Sequence, residues 1–181
     1  MRVSEAHAML APGAGWGTPA MWADLGCGTG TFTLALAELI GTGSTISAID
    51  RDARALASLP AAHHGAQIIT SQADLETFDP AIGSLDGVLL ANSLHYVRAQ
   101  ATLLATIARG LAPSGRCIIV EYDTETPLPR WVPFPVSRRA ARALFRDAGL
   151  LAVEQLAIRP SLYRRGSMYS LQARKANTVT A

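Results

Sequence analysis

The stretch Asp24-Leu25-Gly26-Cys27-Gly28-Thr29-Gly30 decides the fold of this 181-residue chain. It joins a short apolar run, residues 21–25, to a segment with helical patterning, residues 32–40. Glycines let a backbone approach a ligand closely and adopt positive φ angles. A glycine-rich turn between a buried strand and a helix therefore predicts a ligand site at the carboxyl end of that strand.

Short apolar runs and longer helical segments alternate along the rest of the chain, which is typical of βα units that build a parallel sheet. An irregular, proline-rich loop is predicted over residues 124–135. The further predicted strands are 45–49, 67–70, 85–91, 117–122, 152–158 and 168–173, and the further helices are 51–59, 99–111 and 137–148.

Composition favours one folded domain. The chain is 49% hydrophobic and 17% charged, which supplies a core and excludes a disordered chain. A length of 181 residues lies within the usual range of a single domain. No apolar run reaches the roughly 18 residues of a membrane-spanning helix, and no secretory signal is evident. We expect a cytoplasmic protein that does not enter a membrane.

The net charge of +2 hides an asymmetry. Residues 1–129 hold six Lys or Arg and twelve Asp or Glu, whereas residues 130–181 hold ten and two. Arg138, Arg142 and Arg146 recur along one predicted helix face, an arrangement that is usually solvated but also attracts anions. Cys27 and Cys117 lie in apolar contexts without the spacing of a metal site, so both are expected to be buried free thiols.

A glycine-rich turn also occurs in dinucleotide-binding folds, so spacing must discriminate between the two. The dinucleotide fingerprint requires a small residue three positions after its second glycine. That position is Thr31 or Thr33 here, depending on the glycine chosen, and neither is Gly or Ala. The spacing argues against a nicotinamide oxidoreductase.

An acidic residue followed by three glycines at alternate positions, here Asp24, Gly26, Gly28 and Gly30, resembles the first motif of the class I S-adenosylmethionine-dependent methyltransferases. The resemblance implies an α/β, Rossmann-like three-layer sandwich. Its mostly parallel seven-stranded sheet has an antiparallel last strand and helices on both faces. Residues 1–181 then form one domain, with an N-terminal helix or lid (1–19), a cofactor-binding half (20–123) and substrate-side loops with the last strands (124–181).

The resemblance extends through three later strand ends and implies S-adenosylmethionine as cofactor, with S-adenosylhomocysteine as product. Asp50, at the second strand end, is placed to accept both ribose hydroxyls, since a carboxylate offers two acceptor oxygens. Asp74 is placed to accept from the adenine amino group. The complete set of implied cofactor residues is Asp24, Gly26, Cys27, Gly28, Gly30, Asp50, Arg51, Asp74, Leu75 and Asn92.

Methyl transfer from a sulfonium depends chiefly on alignment, so no catalytic residue is obligatory. His95 follows the fourth strand beside the expected methyl position, and it either acts as a general base or shapes the pocket. Tyr96 either orients the acceptor or packs. Trp131, Tyr163 and Arg164 are the candidate substrate residues, and no metal site is expected.

The acceptor is expected to be a small molecule, either anionic or aromatic, and the protein a monomer or homodimer. The sequence after Asn92 lacks the Pro-Pro-aromatic pattern of enzymes that methylate amino groups of nucleic acids, which argues against nucleic acid. Two alternatives stay open: an RNA methyltransferase that uses the basic C-terminal part, and a non-catalytic cofactor-binding module that acts through a partner protein.

Overall fold

The computed structural model describes residues 1–13, 16, 19–77, 84–161 and 166–176. The strands are β1 (Met21–Leu25), β2 (Thr45–Asp50), β3 (Ala62–His63), β4 (Ala66–Gln72), β5 (Leu85–Ala91), β6 (Leu111–Tyr122), β7 (Leu150–Pro160) and β8 (Ser167–Lys175). The helices are α1 (Val3–Leu10), α2 (Thr31–Ile40), α3 (Ala53–Leu56), α4 (Gln100–Gly110) and α5 (Arg138–Asp147), with a 3-10 turn, η1, at Leu94–Tyr96.

These strands form one sheet in the order β3-β4-β2-β1-β5-β6-β8-β7. β4, β2, β1, β5 and β6 are parallel, and β8 runs antiparallel between β6 and β7. The α/β fold class and the antiparallel last strand are thus confirmed. One strand more than the predicted seven is present, because the two-residue β3 pairs antiparallel with β4 at the edge.

Helices cover both faces of the sheet, which makes three layers. Buried side chains of α1 and α2 pack against one face and those of α4 and α5 against the other. β6 is buried along most of its length, as expected for a parallel-sheet strand covered on both sides. None of the helices in the described ranges is long and apolar enough to cross a lipid bilayer.

The predicted helix over residues 51–59 is wrong in extent, because only Ala53–Leu56 is helical. Asp52 is the N-cap, since its side chain accepts from the backbone N–H groups of Arg54 and Ala55. This cap fixes the start of α3 at Ala53, so residues 51 and 52 form the turn between β2 and the helix.

The predicted irregular loop over residues 124–135 is confirmed, with one isolated bridge between Leu128 and Val132.

The α1 helix is packed into the molecule. Its Ala6 and Leu10 have no exposed surface, and Met9 is 2% exposed. The Met9 carbonyl accepts a hydrogen bond of 2.7 Å from the Ser170 hydroxyl in β8. Residues 3–10 are therefore a structural helix, and of the N-terminal residues that the structure describes, Met1 lines the site described below.

Leu10→Ala tests this packing. Truncating a fully buried leucine is expected to lower the free energy of unfolding by about 2–5 kcal/mol, because it loses apolar burial and leaves a cavity. Ser4→Ala, at an exposed position of the same helix, is the control and is expected to change stability by less than about 0.5 kcal/mol. Urea unfolding measures both. Equal stability of the two variants would mean that α1 is a detachable lid.

Candidate active site

A cavity of about 570 Å³ opens at the carboxyl ends of β1, β2, β4 and β5. This volume is within the range of small-molecule and cofactor sites. Gly30 is not part of the lining: it caps α2, and a Cβ there would collide with Leu59. The lining contains the other residues predicted to bind the cofactor, namely Asp24, Gly26, Cys27, Gly28, Asp50, Arg51, Asp74, Leu75 and Asn92.

Two glycines in the turn after β1 lie in different surroundings. Gly26 has a φ of +76°, and a Cβ there would lie 2.4 Å from the Cβ of Ser93. Gly28 has a φ of +54°, but a Cβ there would meet no heavy atom within 4 Å. Gly26 is thus required by protein packing, while Gly28 borders open space that a ligand can approach.

Asp24 is fully buried at the end of β1. The Thr33 hydroxyl in α2 donates a 2.6 Å hydrogen bond to its Oδ2, while its Oδ1 has no hydrogen-bond partner. Burial raises the pKa of Asp24 to about 7, with a further contribution from the negative charge of Asp50. An unsatisfied buried oxygen in a cavity wall is suited to accept a hydrogen bond from a ligand.

Asp50 is held in a fixed orientation at the end of β2. Its Oδ2 accepts from the backbone N–H of Gly28 at 2.7 Å, and its Oδ1 accepts from the N–H of Asp52 at 2.9 Å. Each carboxylate oxygen can accept more than one hydrogen bond. The side chain is thus positioned by the backbone and keeps acceptor capacity toward the cavity.

Asp74 and Asn92 complete the strand-end groups. Asp74 is exposed, and its Oδ1 accepts from the N–H of Glu76 at 3.0 Å. Asn92 has a φ of +56°, and its buried Oδ1 has no hydrogen-bond partner. A left-handed conformation is tolerated by asparagine better than by most residues. Asn92 thus presents a second unsatisfied buried acceptor in the cavity wall.

The electrostatics of this cavity favour a cationic or neutral ligand. Its described lining carries five carboxyl groups and, among its side chains, one guanidinium, that of Arg51. Four of the five, those of Asp50, Asp52, Asp74 and Glu76, are in addition to the buried Asp24. A pyrophosphate would meet like charge here, which costs free energy in a partly buried site. The charge pattern agrees with the glycine spacing in disfavouring a dinucleotide.

The two cysteines differ in exposure. Both are free thiols, as predicted, and Cys117 is buried, but Cys27 is only half-buried in the cavity wall, so its predicted burial is wrong. Burial and the neighbouring Asp24 and Asp50 carboxylates raise the pKa of the Cys27 thiol. The thiol stays protonated at neutral pH and is a poor nucleophile.

A second cavity of about 560 Å³ adjoins the first and shares Asn92, Tyr96 and Tyr122 with it. It brings together three of the predicted acceptor-side residues, His95, Tyr96 and Trp131. The predicted Tyr163 and Arg164 lie outside the described residues. The lining is Asn92, His95, Tyr96, Tyr122, Leu128, Trp131 and Val132.

His95 forms a buried pair with Glu121, a residue that the sequence analysis missed. Both side chains are nearly inaccessible, at 2% and 1% exposure. The Nδ1 atom of His95 lies 2.6 Å from Glu121 Oε2, and the backbone N–H of His95 donates to Oε1 at 3.1 Å. The only sequence signal for this pairing is an acidic residue inside the apolar run of β6.

The arginine stripe on α5 lies away from both cavities. Arg138 forms an ion pair with Asp123 at 2.6 Å, and Arg142 donates to the carbonyl of Val153. Arg146 is exposed. None of these three arginines lines either cavity described above, so the stripe does not supply a counter-charge to an acceptor there.

One grouping of metal-ligand atoms lies elsewhere on the described surface. Glu38, His63 and His64 place one ligand atom each within 4.8 Å of one another. His64 is exposed, while the other two are half-buried. None of the three lines either cavity, so an ion held there would lie outside both cavities.

Comparison with known proteins now identifies the family. Residues 23–115, 93 of the 181 in the chain, match the model of a family described as a methyltransferase domain. The chain belongs to this methyltransferase family. The resemblance to class I S-adenosylmethionine-dependent methyltransferases is thereby confirmed, and the protein is an enzyme. No curated protein sequence matches the methyltransferase significantly.

Solved structures share the fold at low sequence identity. An S-adenosylmethionine-dependent methyltransferase from Mesorhizobium loti is 20% identical, with a TM-score of 0.72 over 96% of this chain and 100% of that one. The YcgJ protein from Bacillus subtilis is 13% identical, with a TM-score of 0.72 over 95% and 98%. Magnesium protoporphyrin IX methyltransferase from Synechocystis, with bound S-adenosylmethionine, is 17% identical, with a TM-score of 0.68 over 96% and 78%.

Asp24→Asn tests the buried carboxyl group of the methyltransferase. Because the folded-state pKa is raised above that of the unfolded chain, wild-type stability should fall as pH rises from about 4 to 7. The amide carries no charge, so the stability of Asp24→Asn relative to wild type should rise by roughly 1–3 kcal/mol between pH 5 and pH 8. Urea unfolding across this range measures the difference.

The control is Asp147→Asn, at an exposed position at the end of α5, which should follow the wild-type pH profile. A difference between Asp24→Asn and wild type that does not change with pH would show that Asp24 is ionised throughout, contrary to its burial.

Proposed function

We propose that the enzyme transfers the methyl group of S-adenosylmethionine to a small-molecule acceptor, with the donor in the first cavity and the acceptor in the second. The observation that carries this proposal is the arrangement of the first cavity. It combines an open backbone at Gly28, a preoriented Asp50 carboxylate and an orphaned Asp24 oxygen at adjacent strand ends.

Each of these groups fits one part of the donor. Asp50 has remaining acceptor capacity on both oxygens, which suits a ribose diol. Asp24 Oδ1 suits the amino group of the methionine portion, a donor that would satisfy the buried oxygen. Asp74 uses only Oδ1 in the turn to Glu76, which leaves Oδ2 for the adenine amino group, with Leu75 against the ring.

The donor supplies a methyl group on a positively charged sulfonium, which suits the acidic lining of the cavity. Holding the acceptor atom in line with the methyl carbon supplies most of the acceleration. Asn92, Tyr96 and Tyr122 belong to both linings, so the wall that they form is the place where donor and acceptor meet. His95 borders the acceptor side, where it orients the acceptor or takes its proton.

The RNA alternative receives less support from the geometry. Arg138 is paired with Asp123 and Arg142 with a backbone carbonyl, so two of the three arginines on α5 are engaged within the protein. The acceptor cavity of about 560 Å³ has the size of a small-molecule site. The adjoining cavity also favours catalysis over a role as a cofactor-binding module alone.

Asp50→Ala tests the donor assignment. Removing the carboxylate is expected to weaken binding of S-adenosylmethionine and S-adenosylhomocysteine at least tenfold, since charge-assisted hydrogen bonds contribute about 1.5–3 kcal/mol. Calorimetric titration measures the affinities, with NAD titrated in parallel and expected not to bind. Asp147→Ala, at an exposed position far from the cavity, is the control with unchanged affinity.

Because Asp50 also accepts two backbone N–H groups, thermal unfolding must show that the variant is folded. A folded Asp50→Ala protein with wild-type affinity for both ligands would refute the ribose assignment. Tight binding of NAD by the wild type would refute the donor itself.

A further inference from the structure

The second cavity has a mostly apolar lining. Its described lining contains aromatic, aliphatic and amide side chains and one histidine, but no Lys, Arg, Asp or Glu. Transferring a charged group from water into such surroundings is costly unless a partner compensates it. Among the described lining residues a carboxylate or phosphate acceptor would meet no cation, and the Glu121 carboxylate behind His95 adds a repulsive charge.

Two large aromatic side chains of this lining remain open to solvent. Trp131 is 71% exposed and Tyr96 is 43% exposed, although exposed apolar surface of this size is costly in water. Ring faces at the border of a cavity are covered favourably by a planar ring. The volume of about 560 Å³ accommodates an acceptor of one to a few fused rings.

The hydrogen bonds of His95 determine which nitrogen of its imidazole ring carries the proton. The ring and the backbone N–H of His95 engage the two oxygens of one buried carboxylate, Glu121. In the neutral ring, the proton then resides on Nδ1, and Nε2 carries the lone pair. Nε2 makes no hydrogen bond to any residue in the part of the chain that is described, so it is available to a group in the cavity.

We propose that the acceptor is a small, neutral aromatic alcohol, and that Glu121 is a positioning residue that orients His95 to remove the hydroxyl proton. This inference rests on the proposed function, because it names the acceptor of that same site. A phenol is uncharged near neutral pH and enters an apolar cavity at little cost. An ammonium group would bring an unpaired charge into the cavity.

Methyl transfer to the phenol oxygen breaks two bonds and forms two. The phenol O–H bond breaks, and its proton passes to Nε2 of His95, which becomes an imidazolium beside the Glu121 carboxylate. The oxygen electron pair forms the new O–CH₃ bond. The C–S bond of the donor breaks with its electron pair on sulfur, which becomes a neutral thioether. The proton leaves His95 for water before the next turnover.

Acceptor class is tested by binding, independently of turnover. The protein is saturated with S-adenosylhomocysteine and titrated with 2-naphthol, 2-naphthoate and 2-(aminomethyl)naphthalene, using calorimetry. The alcohol is expected to bind at least tenfold more tightly than the other two probes. Trp131→Ala is expected to lose at least fivefold in naphthol affinity, and Leu151→Ala, at an exposed position of β7, to lose none.

The results distinguish a wrong acceptor assignment from a wrong proposed function. Binding of S-adenosylhomocysteine without binding of naphthol, or tighter binding of the carboxylate or the amine, overturns the acceptor assignment and leaves the proposed function intact. Failure of S-adenosylhomocysteine to bind overturns both.

Glu121→Gln tests the positioning role. An amide that donates toward Nδ1 favours the wrong tautomer, so kcat with 2-naphthol is expected to fall at least 100-fold while KM changes less than threefold. The ¹⁵N NMR shifts of the His95 ring should report the proton on Nδ1 in the wild type and on Nε2 in Glu121→Gln. Glu121→Asp, which restores the carboxylate, should recover part of kcat, and Glu125→Gln, at an exposed position, should match wild type.

A structural role for Glu121 would predict a different result. It would lower kcat without changing the His95 tautomer, or it would reduce S-adenosylhomocysteine affinity and thermal stability together. Either finding would overturn the positioning role. Unchanged kcat with 2-naphthol in a folded Glu121→Gln variant would do the same.

Discussion

The junction of β1 and β5 at their carboxyl ends is the constraint on which the rest of the site depends. The two strands pair in parallel from Trp22 and Gly87 onward, and the Ser93 hydroxyl after β5 donates to the carbonyl of Leu25 in β1 at 2.6 Å. Gly26 must lack a side chain for Ser93 to approach. The chain leaves β1 toward β2 and returns on the other side at β5, so a crevice opens at this switch point. Both cavities border it.

Local sequence signals were sufficient for most of the sheet. Strands buried on both faces read as continuous apolar runs, so β1 and β5 were predicted with their observed bounds. The failures have non-local causes. The β3 strand has two residues and is defined only by its pairing with β4, which no local pattern encodes. The α3 helix begins late because Asp52 caps it. It ends early because the N–H groups of Ser58 and Leu59 bond to carbonyls three residues back, not four, and periodicity alone reveals neither.

In the candidate site, too, some residues could be predicted from the sequence and others could not. Asp24, Asp50 and Asp74 were found through their match to the motifs of the methyltransferase family. These motifs lie at strand ends, which converge at one edge of a parallel sheet. Glu121 was missed because it lies inside an apolar strand, and its role arises only when η1 brings His95, 26 residues away, against it. Trp131 was found as a loop aromatic, but its partners in the second cavity depend on how the proline-rich loop folds back over the sheet.

The central claim is that an acidic cavity holds the methyl donor and an adjoining apolar cavity holds the acceptor. Asn92, Tyr96 and Tyr122 form the wall common to both. The crystal structure of the protein with S-adenosylhomocysteine tests this claim most directly. The account predicts the ribose hydroxyls on Asp50, the amino group within hydrogen-bond distance of Asp24 Oδ1, and the sulfur facing the shared wall. A ligand bound elsewhere, or in this cavity with its sulfur directed away from that wall, would contradict it.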